Sequence, residues 1–538
     1  MLAACKKWLD VNADPDTPQD PDPASVFPTQ LAGIPRGIQF DARYIGRYIQ
    51  NWNTDLVTRT ADVNWDFMGY TANSDTNGDI WRQAYFGLGQ NLNYIIDVGR
   101  SKGQWDYMGA AFALKAYMFQ ICTDQHGEII YTDAFKENTA IFKFDGQDTV
   151  YAGVRALCDS ALLYLQRTDL NPSNNKLSRG DYVYNGDVQK WIRFTYGILA
   201  HNYGHLTNKT GVYNPDQVID FCNKSLQSIQ DDFLIPFDAS KNDDTNFFGP
   251  YRNNLTTFRQ SNFIVTLLDG TLLAGARTFD NRDPRIKHLL AASQDTTNGN
   301  GGYRGVTPGA GDPNFSSTNP TLMRQRVAAP FGDSIYGNPS ANVFTPNAGK
   351  YLFKDKVVSP VMTYSEILFI KAEAAYRKGD YDMALDAYTK GINAHFDFIN
   401  RAVMPRSNGQ LYNGNPIPAG ERAQYMAGAN VKRTAATLTL RDIMLQKYIA
   451  LWGWGFVETW ADLRRFGYVE GLDPRFGTMV YAGFQLPSSL SSENQGKLAY
   501  RARPRYNSEY VWNRDELARI GALAPDYHTA KVWFILPN

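Results

Sequence analysis

The sequence predicts a mainly α-helical protein, with tetratricopeptide-like helical pairs forming a scaffold and a large loop-rich, irregular subdomain set into it. Three observations carry that prediction. A helix-turn-helix pattern of small and aromatic residues lies between Tyr364 and Phe398, weaker versions of it recur earlier in the chain, and helical periodicity nearly disappears between Phe237 and Val361.

In the clearest pair, Ala372, Ala375 and Tyr376 recur at helical spacing, Gly379-Asp380-Tyr381 makes the break, and Ala384, Tyr388 and Gly391 continue the pattern. Small residues let two backbones approach while the tyrosines fill the space above and below. The plainer reading of the same stretch is an ordinary antiparallel helical hairpin. Either unit has an apolar face it cannot bury alone, so partners are expected elsewhere in the chain.

Taken in order, Leu2-Ala3-Ala4-Cys5 resembles a bacterial lipobox, in which the cysteine becomes the acylated N-terminal residue. Residues 1–5 are therefore read as a lipobox remnant and 6–35, rich in Pro and Asp, as a tether. Residues 36–538 are read as one domain, with helical scaffold at 78–236 and 362–466, the loop-rich insert at 237–361 and an irregular C-terminal segment at 467–538. Helical pattern begins near Gly78. Ala110, Ala111 and Ala113 are expected to face Ala156, Cys158 and Ala161, and Ala200 to face Cys222 and Ser225, with Asn214 capping a helix that Pro215 opens. One apolar helix is expected within the insert, near Asn262 to Ala276.

Lys plus Arg equals Asp plus Glu at 54 each, so no global basic field exists to recruit nucleic acid. Aromatic content is 14%, with 32 Tyr and 11 Trp, many in Gly, Asn and Pro-rich stretches, which favours a surface that binds by stacking. The alternative is that these rings brace long loops. No apolar run reaches the roughly 18 to 20 residues needed to span a bilayer. Cys122, Cys158 and Cys222 sit in apolar helical patterns and read as buried thiols.

Two local patterns raise metals. Residues 73–79 carry the oxygen spacing of the first half of an EF-hand loop, but Ala84 stands where the bidentate Glu belongs, so an Asx-rich turn capping the next helix is preferred. His201 and His205 are four apart, without a catalytic Glu between them. No metal or other cofactor is assigned, and no hydrolase elbow, phosphate-binding loop or dinucleotide fingerprint is found.

The order of features resembles the SusD/RagB-like outer-membrane lipoproteins of the Bacteroidetes. The segment from Cys5 through Leu9-Asp10, Asn12 and Pro15 fits that family's N-terminal pattern. The likeness continues through Gly127 to Tyr131, with Ile130 where the family often has Pro, then Asp283-Pro284-Arg285, the 364–398 pair, the run from Gln446 to Gly467 and the stretch from Arg503 to Asn513. The resemblance implies a lipid-anchored, non-enzymatic nutrient-binding protein at the cell surface. It would sit on a SusC-like TonB-dependent transporter and hold an oligosaccharide or, in some members, a peptide. By position, Trp65, Tyr70 and Trp81 are the expected stacking platform, with Asn77, Asp79 and Arg82 bonding hydroxyls and Tyr303 contributing from the insert. A secreted helical glycoside hydrolase and a purely structural tetratricopeptide adaptor are the competing readings.

Overall fold

Apolar residues at helical spacing build the first element. Phe27, Leu31, Ile34, Ile38, Ala42 and Ile45 are buried on one stripe of α1 (Pro23–Tyr48). Asp22 caps it by accepting from the Ala24 N–H at 2.9 Å, and Pro23 opens it. The tether expected at 6–35 is thereby corrected, because 23–35 is helix. Pro28 and Pro35 lie inside it. Each interior proline costs roughly 3 kcal/mol, and burying five large apolar side chains at about 1.5–3 kcal/mol each outweighs them. The computed structural model describes residues 20–537 apart from 57, 59–62, 72–74, 140, 333–348, 402–403, 406–410 and 413–414. Cys5 and residues 6–19 of the expected tether lie outside the described residues, as do Asn73 and Ser74 of the EF-hand-like stretch.

The scaffold runs through α2 (Asp79–Arg82), α3 (Gly89–Lys102), α4 (Trp105–His126), α5 (Gln147–Leu165), α6 (Val188–Gly204) and α7 (Pro215–Lys224). Consecutive helices from α3 to α7 pack on one another, and α7 passes the array on to α9 (Tyr364–Lys378), which pairs with α10 (Tyr381–Arg401). Ala110, Ala111, Ala113, Cys158 and Ala161 are fully buried as expected, whereas Ala156 is exposed on the outer face of α5. The clearest pair has the predicted build. Thr363 and Glu366 form a reciprocal capping box, Gly379 ends α9 at φ +88°, and Ala372, Ala375, Ala384 and Tyr388 are buried between the helices. Together, α11 (Leu440–Leu451) on α9 and α12 (Phe456–Arg465) on α4 and α1 close the array.

The insert is held at its neck. Antiparallel pairing of β2 (Phe233–Phe237) with β4 (Val357–Met362) brings its two ends together, and β1 (Trp52–Thr54) with β3 (Phe258–Gln260) ties its interior to the chain after α1. Within it, α8 (Asn262–Leu268) is the expected apolar helix in shortened form. Asp283-Pro284-Arg285 fastens the insert to the scaffold. The buried Arg285 guanidinium donates to Asp283 at 2.6 Å and Gln446 at 2.8 Å, and lies 2.9 Å from a ring nitrogen of His395.

At the centre of the helices lies a buried ionic cluster. His201 on α6 and His205 just past its C-terminal end reach into one cluster, and their partners are carboxylates: Glu366 at 3.0 Å and Glu458 at 2.7 Å. Lys447 bridges Glu458 at 2.6 Å and Asp462 at 2.8 Å, and Arg465 joins Asp462 to Glu373. Among the described residues no group of three ligating side chains is arranged to hold a metal ion. Burial by itself lowers the His205 pKa, but the Glu458 and Asp124 carboxylates overturn that and raise it to about 9, with His201 also raised.

The folded state therefore holds protons that the unfolded chain has released. The stability contributed by these histidines is complete below the ordinary histidine value of 6.5 and is lost as pH rises through about 9. For His205 this is on the order of 3 kcal/mol. Asp232, whose carboxyl burial pushes up to about 8, adds a loss of the same sign. Denaturant unfolding across this window is expected to show falling stability, with a shallower fall in His205→Gln. Equal slopes for the two proteins would remove the histidine from the account.

Candidate functional site

A groove of ≈ 680 Å³ opens on the surface where three separate stretches meet. Its first wall is the segment from Trp81 to Gln90, its second the loop between Ile130 and Phe142, and its third Arg505, Ser508 and Glu509 of the C-terminal segment. That volume lies within the range of small-ligand sites. By contrast, the cavity beside His201 and His205 holds only ≈ 40 Å³, room for water.

The first wall is positioned from α1. Buried Asp41 accepts from the Asp79 N–H at 3.0 Å and the Ile80 N–H at 2.9 Å, capping the helix that carries Trp81 and Arg82. Burial, with Asp79 adding to it, pushes the Asp41 carboxyl up to about 7. The sequence pattern predicts one helix from Asp79 onward. Instead, residues Gln83–Gly87 form a π turn, closed by the Leu88 N–H donating to the Gln83 carbonyl at 2.8 Å. Gly89 permits this, since a Cβ there would lie 2.1 Å from the Ala84 carbonyl oxygen. The widened turn throws Phe86 outward, 71% exposed, and aims the Tyr85 hydroxyl at the Ile130 carbonyl, to which it donates at 2.7 Å. A second π turn, Tyr506–Tyr510, carries the third wall. Such turns are rare and concentrate at functional sites.

The floor is apolar and the rim is charge-balanced. Trp81 is 2% exposed, braced by Tyr85, Phe144 and His126, and offers the groove only part of its ring. Phe135 and Phe142 complete the aromatic lining. Arg82 is paired with Asp79 at 3.3 Å, Arg505 with Asp75 at 2.5 Å and Lys136 with Asp133. Burial pushes the Glu509 carboxyl above its ordinary range; it accepts from Asn513 Nδ2 at 3.0 Å. Arg505 Nε is a buried donor with no hydrogen-bond partner among the described residues. The lining thus offers ring faces and a carboxyl acceptor, without a net cationic field.

The expected site residues divide sharply. Trp81 and Arg82 border the groove. Trp65 does not: it is 1% exposed, enclosed by Tyr44, Tyr48 and Tyr70. Tyr70 is buried with its hydroxyl donating to the Thr76 carbonyl at 3.1 Å. Asn77 is fully buried at φ +52°, and Asp79 is spent on Arg82 and Gln83. Tyr303 sits in the insert, bridged to Ala292 and half-buried away from the groove. The platform expected at Trp65 and Tyr70 is corrected accordingly, since neither ring has an open face. Tyr85, Phe86, Phe135 and Phe142 are not among the expected site residues, and the third wall falls in the 503–513 stretch that carries the family likeness without being expected to bind. The cluster of Tyr506, Tyr510 and Trp512 in an otherwise irregular tail is the signal that marks that wall.

A family model described as starch-binding and associating with the outer membrane, SusD-like, matches residues 37–481. The chain belongs to the SusD-like family. No curated protein sequence matches it. Among solved structures it is similar to a SusD/RagB family protein from Bacteroides thetaiotaomicron, at 21% identity and TM-score 0.61, covering 96% of this chain and 99% of that one. It is also similar to a chitin-binding SusD homologue from Flavobacterium johnsoniae, at 19% identity and TM-score 0.62, covering 96% and 98%. A SusD homologue from Bacteroides uniformis gives 17% identity and TM-score 0.63, covering 95% and 99%. At these identities the likeness is one of fold, and it bears out the helical architecture; the family model bears out the family read from the sequence. In this SusD-like chain two walls of the groove lie inside the matched residues and the third lies beyond them.

Proposed function

We propose that this SusD-like protein is a cell-surface glycan-binding protein that captures a neutral oligosaccharide in the groove and hands it to a SusC-like TonB-dependent transporter. One observation carries the reading: an aromatic-lined groove of ligand size whose rim cations each have a carboxylate partner. Ring faces suit the apolar C–H faces of sugars, and the Ser508 hydroxyl and Glu509 carboxyl on the third wall suit hydroxyls. The family description and the chitin-binding homologue support carbohydrate over peptide as the first ligand to try.

Phe86 provides the direct test because its ring is exposed, with the Arg82 guanidinium 6.0 Å from its centroid. Phe86→Ala is expected to weaken glycan binding about tenfold, read by calorimetry against a panel of chito-, malto-, cello- and xylo-oligosaccharides, with unfolding unchanged. Tight binding of peptides with none of the glycans would replace glycan by peptide, and release of shortened sugars by the wild type would make the protein an enzyme.

Attachment to the outer membrane is assigned to acylation of Cys5, in keeping with the Leu-Ala-Ala run before it. No helix among the described residues is long and apolar enough to cross a membrane. Fatty-acid label incorporated in cells by the wild type is expected to be absent from Cys5→Ala, and label retained there would refute the anchor.

A further inference from the structure

Some of the exposed large apolar side chains lie on the groove walls or close to them in sequence. Phe86, Ile141, Tyr506, Val511 and Trp512 are 71, 60, 46, 56 and 75% exposed, and all lie on its walls or within a few residues of them in sequence. An indole is among the side chains that gain most from burial, so one left open beside an aromatic groove is available to whatever the groove receives.

Trp512 is held in place by its neighbours. It follows Ser508 and Glu509, both on the groove wall, by four and three residues, in the helical turn that the π segment Tyr506–Tyr510 begins. The next residue, Asn513, locks that helix to the second wall: its side chain accepts from the Phe142 N–H at 3.3 Å and donates to the Phe142 carbonyl at 2.8 Å. The helix α13 (Arg514–Arg519) continues the brace, with Glu516 accepting from the Phe144 N–H at 3.1 Å and Arg519 donating to its carbonyl at 2.8 Å. The ring is thus exposed on a rigid support.

We propose that Trp512 is an outer stacking subsite, so that the ligand is an extended glycan chain. Some of its sugar units lie in the groove over Trp81 and beside Phe86, and further units of the same chain lie on the indole of Trp512. The proposal rests on the glycan-binding reading above. The family match ends at residue 481, so this subsite belongs to the segment that the match does not cover. Chain length is the property it sets.

The test is calorimetry with oligomers of N-acetylglucosamine, glucose and xylose of increasing length, on the full chain and on Trp512→Ala and Trp512→Tyr. Wild-type affinity is expected to climb with length beyond the shortest oligomer that binds. Trp512→Ala is expected to lose about tenfold for long oligomers and nothing for the shortest, with Trp512→Tyr retaining most of the gain. Because the ring is exposed, thermal unfolding of all three proteins should coincide. An equal loss at every length, or no loss at any, overturns the subsite while leaving glycan binding in place. Failure of the wild type to bind any glycan overturns both.

Discussion

Replacing Lys447 by methionine is expected to destabilise the protein by about 3–5 kcal/mol, the cost of removing one partner from a buried ion pair. Its ammonium is 1% exposed and bridges two carboxylates that are themselves enclosed. Burial pushes the Glu458 carboxyl up, but Lys447 and the two histidines hold it well below its ordinary range. Without Lys447 the cluster keeps its carboxylates and loses a positive charge, which a water in the ≈ 40 Å³ cavity beside the histidines would not supply. Methionine fills the stem, so the loss is electrostatic rather than a void. Urea unfolding at neutral pH reads the effect. A loss below about 1 kcal/mol would mean that the cluster is solvated and does not organise the helices around it.

The second large effect separates Trp81 from Phe86, two aromatic residues on one wall. Trp81→Ala is expected to cost about 3–5 kcal/mol of stability, because the ring is buried against Tyr85, Phe144 and His126 and its removal leaves a cavity. It should weaken ligand binding as well, by removing the floor of the groove. Phe86→Ala should do only the second. Parallel denaturation and calorimetry on the two variants check this. If Trp81→Ala unfolds like the wild type, the floor has collapsed onto the space without penalty and the rigid-groove picture fails. The contrast follows from exposures of 2% and 71% at positions five residues apart, in neighbouring turns of one segment.

Position along the chain suggested Trp65, Tyr70 and Trp81 equally, since a tryptophan leading into a helix reads the same whether it faces solvent or core. Burial decides between them, and burial depends on α1, which supplies Tyr44 and Tyr48 against Trp65 and Asp41 beneath the cap of α2. The helix itself is missed at the level of sequence, where helical pattern is read only from near Gly78: Phe27, Leu31, Ile34, Ile38, Ala42 and Ile45 hold its apolar stripe, but Pro28 and Pro35 argue locally against it. The four-residue spacing of His201 and His205 brings both into one buried cluster. Their partners, Glu366 and Glu458, are 165 and 253 residues away from the histidines they contact and carry no local pattern.

What the sequence determined by itself was whatever depends on neighbours within a turn or two: the 364–398 pair with its capping box and Gly379, the buried faces of α4 and α5, the turn-rich insert, and the family they belong to. Period, capping and glycine at positive φ are local physics, and a single chain displays them. Only the tertiary structure decided which aromatic rings stay open, because the groove is assembled from residues near 85, 135 and 508 by contacts that no spacing records. Exposure is a property of how surfaces meet. It set Trp65 into the core and left Phe86 and Trp512 in solvent.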